Sequence, residues 1–263
     1  MNEAELLFSE IFKCDRASLY LNRGLRLDKT QAAEISGALK RRIAGEPIQY
    51  ILGKTEFMGM EFKVTPDVLI PRPETEVLIE AVIKLVNSLS LKRRALKILD
   101  VGTGSGCIAV SLAKLLTNVK VDALDISEKA LEVAKFNAAL NKVKINFIQD
   151  NLFPACYLQP ATYNLIVSNP PYVRASEIGK LQIEVRREPR IALDGGRDGL
   201  DFYRNIIQSA VKCLKINGYL ILEIGFGQLP EIKNIFHKSH KFEIIEVVKD
   251  YSNIARVVIA KLK

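Results

Sequence analysis

The residues best suited to chemistry in this chain are Asn169-Pro170-Pro171-Tyr172. Two consecutive prolines remove two backbone donors and fix two φ angles, which leaves their carbonyls rigidly placed as acceptors. Asn169 sets a side-chain carbonyl beside them, and Tyr172 adds an aromatic face. Such an array suits a planar NH2 group, with one hydrogen on the Asn169 oxygen and the other on the Pro170 carbonyl. The nitrogen of an amide or an exocyclic amine is a poor nucleophile because its lone pair is delocalised. Acceptors that favour a pyramidal nitrogen lower the barrier to its attack on an electrophile, and alignment lowers it further. No titrating base is required beforehand, since the protonated product sheds its proton readily. Asn169, Pro170 and Tyr172 are therefore the expected catalytic residues, and Asn169, Pro170, Pro171 and Tyr172 the expected acceptor-binding set. The competing interpretation is a proline-rich turn that only closes a strand.

A second constellation lies upstream, in Asp100-Val101-Gly102-Thr103-Gly104-Ser105-Gly106. Glycines at a strand-to-helix turn let backbone N–H groups approach a ligand at a helix N-terminus. No Lys-Ser/Thr follows, so this is not a P-loop, and a dinucleotide fingerprint begun at Gly102 would need Gly or Ala where Cys107 stands. Asp125 lies 23 residues past Gly102, roughly where a carboxylate accepts both hydroxyls of a ribose. Asp150-Asn151-Leu152 follows a third strand, where a polar side chain can read an adenine amino group and an apolar one can cover the ring. An adenosine without a pyrophosphate points to S-adenosyl-L-methionine. Its expected contacts are Gly102, Thr103, Gly104, Ser105, Gly106, Asp125, Asp150, Asn151 and Leu152, with Asn169 bordering both sites. No metal site is expected.

These groups must be carried by strands and helices in register. Short apolar runs predict strands at Lys97 to Asp100, Lys120 to Asp125, Ile145 to Gln149, Asn164 to Ser168, Tyr219 to Ile224, Phe242 to Val248 and Arg256 to Ala260. Helices are predicted at Cys107 to Leu116, Glu128 to Leu140 with Ser127 as its N-cap, Gly199 to Leu214 and Leu229 to His237. This alternation means an α/β fold with a parallel sheet covered on both faces, whose ligands bind at the carboxyl ends of the strands. The first 49 residues read as helical, with Leu6, Leu7, Ile11 and Phe12 in one apolar stripe and Ala32, Ile35, Leu39 and Ile43 in another. Gly45-Glu46-Pro47 ends the second, and Tyr50 to Ile70 predicts a short linking β-hairpin.

Six segments together give a family resemblance over essentially the whole chain: Tyr50-Ile51-Leu52-Gly53, Pro71-Arg72-Pro73-Glu74-Thr75-Glu76, the Asp100 to Gly106 loop, Asn169 to Tyr172, Glu188-Pro189-Arg190-Ile191-Ala192-Leu193 and Gly195-Gly196-Arg197-Asp198-Gly199-Leu200. The chain resembles the PrmC/HemK family of bacterial release-factor glutamine methyltransferases. The glycine loop is common to many methyltransferases and the Asn-Pro-Pro-Tyr motif to N6-adenine methyltransferases; the other segments are more particular. The resemblance implies a seven-stranded, mostly parallel, Rossmann-like class I methyltransferase sheet at residues 71–263. A helical, substrate-docking N-terminal domain with its hairpin linker would occupy residues 1–70. It also implies S-adenosylmethionine at Gly102 to Gly106 and Asp125. The substrate would be the side-chain amide of the glutamine in the Gly-Gly-Gln motif of class I peptide release factors, held at Asn169 to Tyr172. The chain departs from the family pattern after the third strand, where similar proteins carry an acid directly before an apolar or aromatic residue; here Asn151 intervenes between Asp150 and Leu152, and either Asp150 or Asn151 contacts the adenine.

Composition bounds the rival functions. Lys+Arg 38 against Asp+Glu 30 gives a net charge of +8. Residues 1 to 72 carry 11 basic and 10 acidic side chains, a balance of +1 that argues against a nucleic-acid-reading module there. An adenine-N6 methyltransferase on DNA or RNA, which must flip its base, is the nearest alternative; a silent adaptor is a further one. No direct nucleic-acid substrate is expected. Scattered Cys14, Cys107, Cys156 and Cys213, an acidic N-terminus and the lack of an apolar run near ~18 residues indicate reduced thiols in a cytoplasmic protein without a membrane span. Glu74 and Thr75 either close over the cofactor, as the resemblance implies, or open a helix with early-turn acids. Arg186, Arg187, Arg190 and Arg197 either steer the release factor or nearby RNA, or are simply solvated. His237 and His240 read as surface residues.

Overall fold

The structure, a computed structural model, describes residues 3–21, 26–88, 95–150 and 160–263. The N-terminal helices are α1 (Glu3–Phe12), α2 (Arg16–Leu21), α3 (Lys29–Ile43) and α4 (Ile48–Leu52). A capping box starts α3: the Asp28 carboxylate accepts from the Gln31 N–H at 2.7 Å and the Gln31 side chain accepts from the Asp28 N–H at 3.1 Å. Lys40, Arg41 and Arg42 in its last turn complement the helix dipole. The stripe expected on α3 is rotated. Ile35 and Ala38 are buried, whereas Ala32 is exposed, Leu39 is 49% exposed and Ile43 85%. The cause is the partner geometry, because Ala38 packs with Leu7 of α1 and Ile48 of α4, and a helix surrounded on that side turns its other apolar residues outward.

A hairpin of β1 (Lys54–Phe57) and β2 (Met60–Lys63) follows, paired antiparallel from Lys54↔Lys63 to Phe57↔Met60. Its two-residue turn, Met58-Gly59, takes positive φ at both positions, the conformation that matches the twist of the strands. Phe57 and Phe62 meet edge to face at 6.0 Å and enter the main core. The chain beyond the hairpin packs Val64, Val68 and Ile70 on Tyr50, Ala130 and Val133, and the Tyr50 hydroxyl donates to the Val68 carbonyl at 2.6 Å.

The rest of the chain comprises α5 (Pro73–Ser88), β3 (Leu96–Val101), α6 (Cys107–Leu115), β4 (Val119–Asp125), α7 (Glu128–Leu140), β5 (Ile145–Gln149), β6 (Tyr163–Ser168), α8 (Asp201–Cys213), β7 (Leu214–Glu223), α9 (Leu229–Ser239), β8 (Phe242–Lys249) and β9 (Ala255–Leu262). Every strand and helix predicted for this part is present. Strand β7 begins earlier than expected, at Leu214, with a register shift where it pairs β6. The sheet order is β5-β4-β3-β6-β7-β9-β8, and only β9 runs against its neighbours. The strands are buried on both faces, so alternate residues feed different cores. Ile98, Leu165 and Val167 pack under α5 and α6, whereas Leu99, Val101 and Ile166 pack under α8 and α9.

The order places β3 beside β6 at the point where the winding direction reverses. The glycine loop after β3 and the Asn-Pro-Pro-Tyr segment after β6 thus emerge side by side at the carboxyl edge, where open α/β sheets bind ligands. The Ser168 hydroxyl donates to the Val101 carbonyl at 2.7 Å and stitches the two strand ends together. No helix among the described residues is long and apolar enough to cross a membrane, and no cluster of metal-ligating side chains occurs among them. Cys14, Cys107 and Cys213 are free thiols; Cys156 lies outside the described residues.

Candidate active site

The glycine loop owes its shape to Asp100. This fully buried carboxylate accepts from the Thr103 hydroxyl at 2.6 Å and the Ala109 N–H at 3.2 Å, and burial pushes its pKa up to about 7. Gly102 and Gly104 have positive φ, and a Cβ on either would meet open space, so their glycines serve the backbone and leave the cleft clear. Gly106, at the N-cap of α6, also has positive φ, and its Cβ would crowd Ala134 of α7 at 3.0 Å. Thr103 and Ser105 are buried beneath the loop, away from the cleft that Gly102 and Gly104 line.

Asp125 ends β4 and faces the loop. One carboxylate oxygen accepts from the Gly104 N–H at 2.8 Å and the other from the Ser127 N–H at 2.9 Å. Burial raises its pKa, and the Ser127 and Gly104 N–H groups oppose that rise. A carboxylate offers about four lone-pair sites, so each oxygen keeps capacity for a hydroxyl. Ser127 caps α7 as expected, accepting from the Ala130 N–H at 3.2 Å. Asp150, one residue past β5, lines the same cleft. Asn151 and Leu152 lie outside the described residues.

Glycine loop, Asp125, Asp150 and Asn169-Pro170-Pro171 surround one cleft of about 850 Å³, its open mouth included. Val68, Leu69, Leu124, Ile126 and Ala130 supply apolar walls around the two acids. A carboxylate with spare acceptor capacity, open backbone at a helix N-terminus and apolar flanks fit the nucleoside of S-adenosylmethionine. Tyr172 opens on the other side, where Leu69, Arg72, Asn169, Pro170 and Tyr172 line an adjoining pocket. Asn169 and Pro170 are common to both spaces. Burial pushes the Tyr172 hydroxyl up to about 12.

The more particular family segments turn out to brace this corner. A Cβ at Gly195 would stand 2.8 Å from the Pro171 carbonyl oxygen, and one at Gly199 would be driven into the Tyr172 carbonyl oxygen. The loop passes too close to the Asn-Pro-Pro-Tyr backbone for any side chain there. Val173 and Gly195 join it in sheet fashion through Gly195 N–H to Val173 O at 2.8 Å and Val173 N–H to Leu193 O at 2.9 Å. Glu188 is buried, pairs with Arg72 and accepts from the Ile70 N–H at 3.1 Å, which links the Glu-Pro-Arg-Ile-Ala-Leu stretch to the Pro-Arg-Pro-Glu-Thr-Glu stretch. The structure has α5 open with Glu74 and Glu76 in its first turn, and buried Thr75 accepts from Asn169 Nδ2 at 3.1 Å; neither Glu74 nor Thr75 is among the residues that line the cleft.

Several contributing residues carry no local signal in the sequence. Gln228 donates to the carbonyls of Tyr172 at 3.1 Å and Gly199 at 3.2 Å, and accepts from the Gly225 N–H at 3.0 Å. Asn137 of α7 and Glu223 at the end of β7 are likewise buried polar side chains tied to this region. Of the four arginines in the long connection, Arg187 donates to the Ala44 carbonyl and Arg190 pairs with Asp194, so these two are engaged within the chain. His237 and His240 are exposed.

Residues 77–186 match the family described as "Methyltransferase small domain" and residues 1–53 match "PrmC N-terminal domain". The chain is 41% identical over 261 residues to the release factor glutamine methyltransferase of Thermodesulfovibrio yellowstonii, covering 98% of this chain and 91% of that one. It is 44% identical over 251 residues to the protein of the same name from Flavobacterium psychrophilum, covering 94% and 87%. In fold it is similar to a methyltransferase from Pyrococcus furiosus, with a TM-score of 0.56 at 18% identity, covering 90% of this chain and 99% of that one. With such identity along nearly its full length, the chain belongs to the release factor glutamine methyltransferase family.

Proposed function

We propose that this protein transfers a methyl group from S-adenosyl-L-methionine to the side-chain amide nitrogen of a glutamine, the one in the Gly-Gly-Gln motif of class I peptide release factors. The observation that carries this reading is the shared wall of the two spaces: Asn169 and Pro170 border both the cleft of Gly102, Gly104 and Asp125 and the pocket of Arg72 and Tyr172. A carboxamide entering from the second space meets acceptors where the first space ends. S-adenosylmethionine, when bound, supplies an electrophilic methyl group.

The chain's own residues do the rest. Gly102, Gly104 and Asp125 hold the nucleoside, with Asp150 beside it, while Thr103, Ser105 and Gly106 shape the loop without lining the cleft. Asn169 Nδ2 is already committed to Thr75, so Oδ1 is the end available as acceptor, and the Pro170 carbonyl is the second. Two acceptors on the two N–H bonds push electron density toward the amide nitrogen and orient its lone pair, which offsets part of its poor nucleophilicity. Tyr172 and Pro171 flank the carboxamide, and the proton leaves after transfer without a dedicated base. Residues 1–70 dock the release factor: the small core of Leu7, Ala38 and Ile48 makes a separate unit, pinned by Arg42–Glu184 at 2.8 Å to the loop beside the pocket. Release factors act on ribosomes, which puts the enzyme in the cytoplasm.

The test is transfer of labelled methyl from S-adenosylmethionine in three parallel reactions: with a class I release factor, with the same factor carrying Gln→Ala in its motif, and with duplex DNA. Label in the first alone supports the reading; label in DNA alone overturns it in favour of adenine methylation.

A further inference from the structure

Strand β7 ends in Glu223, one step beyond the Ser168↔Leu222 pair that closes its parallel register with β6. That step sets Glu223 beside Asn169 on the neighbouring strand end. The side chain is almost wholly buried, at 2% exposure, between Leu222 and Ile224, which are fully buried and apolar. The Thr75 hydroxyl and the Asn169 amide both stabilise its charged form, while its Oε2 has no hydrogen-bond partner among the described residues. A buried, partly unpartnered carboxyl is costly where a leucine would pack without penalty. Its position behind the acceptor corner explains what it does there.

We propose that Glu223 is a positioning residue that fixes which end of the Asn169 carboxamide faces the substrate. The two ends of an asparagine amide are nearly isosteric, and only neighbours decide between them. An ionised carboxylate only accepts hydrogen bonds, so it draws Nδ2 of Asn169 toward itself. It also draws the Thr75 hydroxyl proton, which turns a Thr75 lone pair toward Asn169 Nδ2, the bond seen at 3.1 Å. Both effects leave Oδ1 facing the cleft. A flipped Asn169 would instead present N–H groups to the substrate NH2, a donor-to-donor encounter that removes one of the two acceptors. The inference rests on carboxamide methylation at this corner.

The experiment uses the full chain, a class I release factor and labelled S-adenosylmethionine, with Glu223→Gln, Thr75→Val and Thr75→Ser. The amide introduced by Glu223→Gln has donors as well as an acceptor and tolerates either orientation of Asn169. We expect kcat to fall at least about tenfold in Glu223→Gln and Thr75→Val, the scale of one misplaced polar group at a transition state. Thr75→Ser, which keeps the hydroxyl, restores turnover to within about threefold, and S-adenosylhomocysteine affinity by calorimetry stays within about twofold throughout. Wild-type kcat in Glu223→Gln overturns the proposal whatever Thr75→Val shows, as does a loss that appears only as weaker cofactor binding. If Glu223→Gln fails to fold, the Thr75 pair decides: equal kcat in Val and Ser overturns it. A wild-type enzyme that labels no glutamine overturns the functional reading and this inference together, whereas an active wild type with an equally active Glu223→Gln overturns this inference alone.

Discussion

Asn137 and Lys63 grip each other across 74 positions of sequence: the Lys63 N–H donates to Asn137 Oδ1 at 2.7 Å, and Asn137 Nδ2 donates back to the Lys63 carbonyl at 2.9 Å. The same Nδ2 also reaches the Ser105 carbonyl in the glycine loop at 2.8 Å. One fully buried asparagine on α7 thereby completes the edge of the hairpin and pins the loop. Asn137→Ala strands three backbone groups, and we expect a loss of about 2–4 kcal/mol in denaturant unfolding. Asn137→Asp, which cannot donate and carries charge toward two carbonyls, should cost at least as much. A midpoint unchanged in both variants would show that water replaces these bonds without penalty.

Glu188 and Arg72 tie the loop before α8 to the segment before α5. The Arg72 side chain is part-exposed while the Glu188 carboxyl is buried, so removing the acid leaves a cation that can turn to solvent and an Ile70 N–H that cannot. We expect Glu188→Ala to lose about 1–3 kcal/mol, toward the low end of a broken buried pair. Glu188→Gln, which still accepts from Ile70, should lose less. Because Leu69 and Arg72 line the pocket beside Tyr172, Glu188→Ala should also raise KM for the release factor more than it weakens S-adenosylhomocysteine binding. Steady-state kinetics and calorimetry on one preparation separate the two.

What the sequence disclosed and what it hid divide along physical lines. Parallel strands buried on both faces produce uninterrupted apolar runs such as Leu165-Ile166-Val167, and these mark the sheet without knowledge of its partners. The glycine loop and Asn169 to Tyr172 were legible because their chemistry resides in the backbone restrictions of glycine and proline themselves. Helix α5 showed only its first turn, since Val77, Leu78, Ile79, Ala81 and Val82 are buried around most of its circumference and leave no stripe. On α3 the stripe was visible but misaimed, because Leu7 and Ile48 determine which face is covered. Asn137, Gln228 and Glu223 act through partners that the fold, not the chain, brings near. Asn169 and Thr75 are 94 residues apart, and no local pattern announces such a pair.

On the proposed reading Asp125 and Asn169 serve different halves of the cleft, and they should separate cleanly in mutants. Asp125→Ala removes the acceptor that holds the Gly104 N–H and faces the nucleoside, so S-adenosylhomocysteine affinity should drop about 10–100-fold. Turnover at saturating cofactor should stay within a few-fold. Asn169→Ala should do the reverse, with cofactor affinity within about twofold and kcat down about 100-fold or more. Calorimetry and saturation kinetics on the two variants provide the check, and the same profile in both would contradict the division of roles.

Glu223 also predicts a pH signature. Burial pushes its pKa up to about 7, against the stabilising influence of Thr75, Arg256 and Asn169 on its charge. Other charged or titratable groups around it are Glu74 from α5, Cys107 from α6, and Tyr172 and Tyr203 from the segments packed on β7. An acid whose folded pKa lies above its unfolded value binds more protons in the native state, so its contribution to stability falls as pH rises from about 4.5 to about 7 and then levels off. Asp100, raised to about 7 by the same cause, behaves alike. Replacing Glu223 with glutamine deletes one of these two contributions. The stability of Glu223→Gln relative to wild type should therefore grow across that window, by up to about 1.4 kcal/mol for each unit of pKa displacement. Activity should run the opposite way, because the ionised form is the one that orders Asn169. Wild-type kcat/KM should climb as pH rises through about 7, and Glu223→Gln should lose that inflexion while keeping any limb that belongs to Asp100. Urea unfolding and kcat/KM measured from about pH 5 to about pH 9 on both proteins decide the matter; parallel curves in either measurement would mean that Glu223 does not ionise in this range.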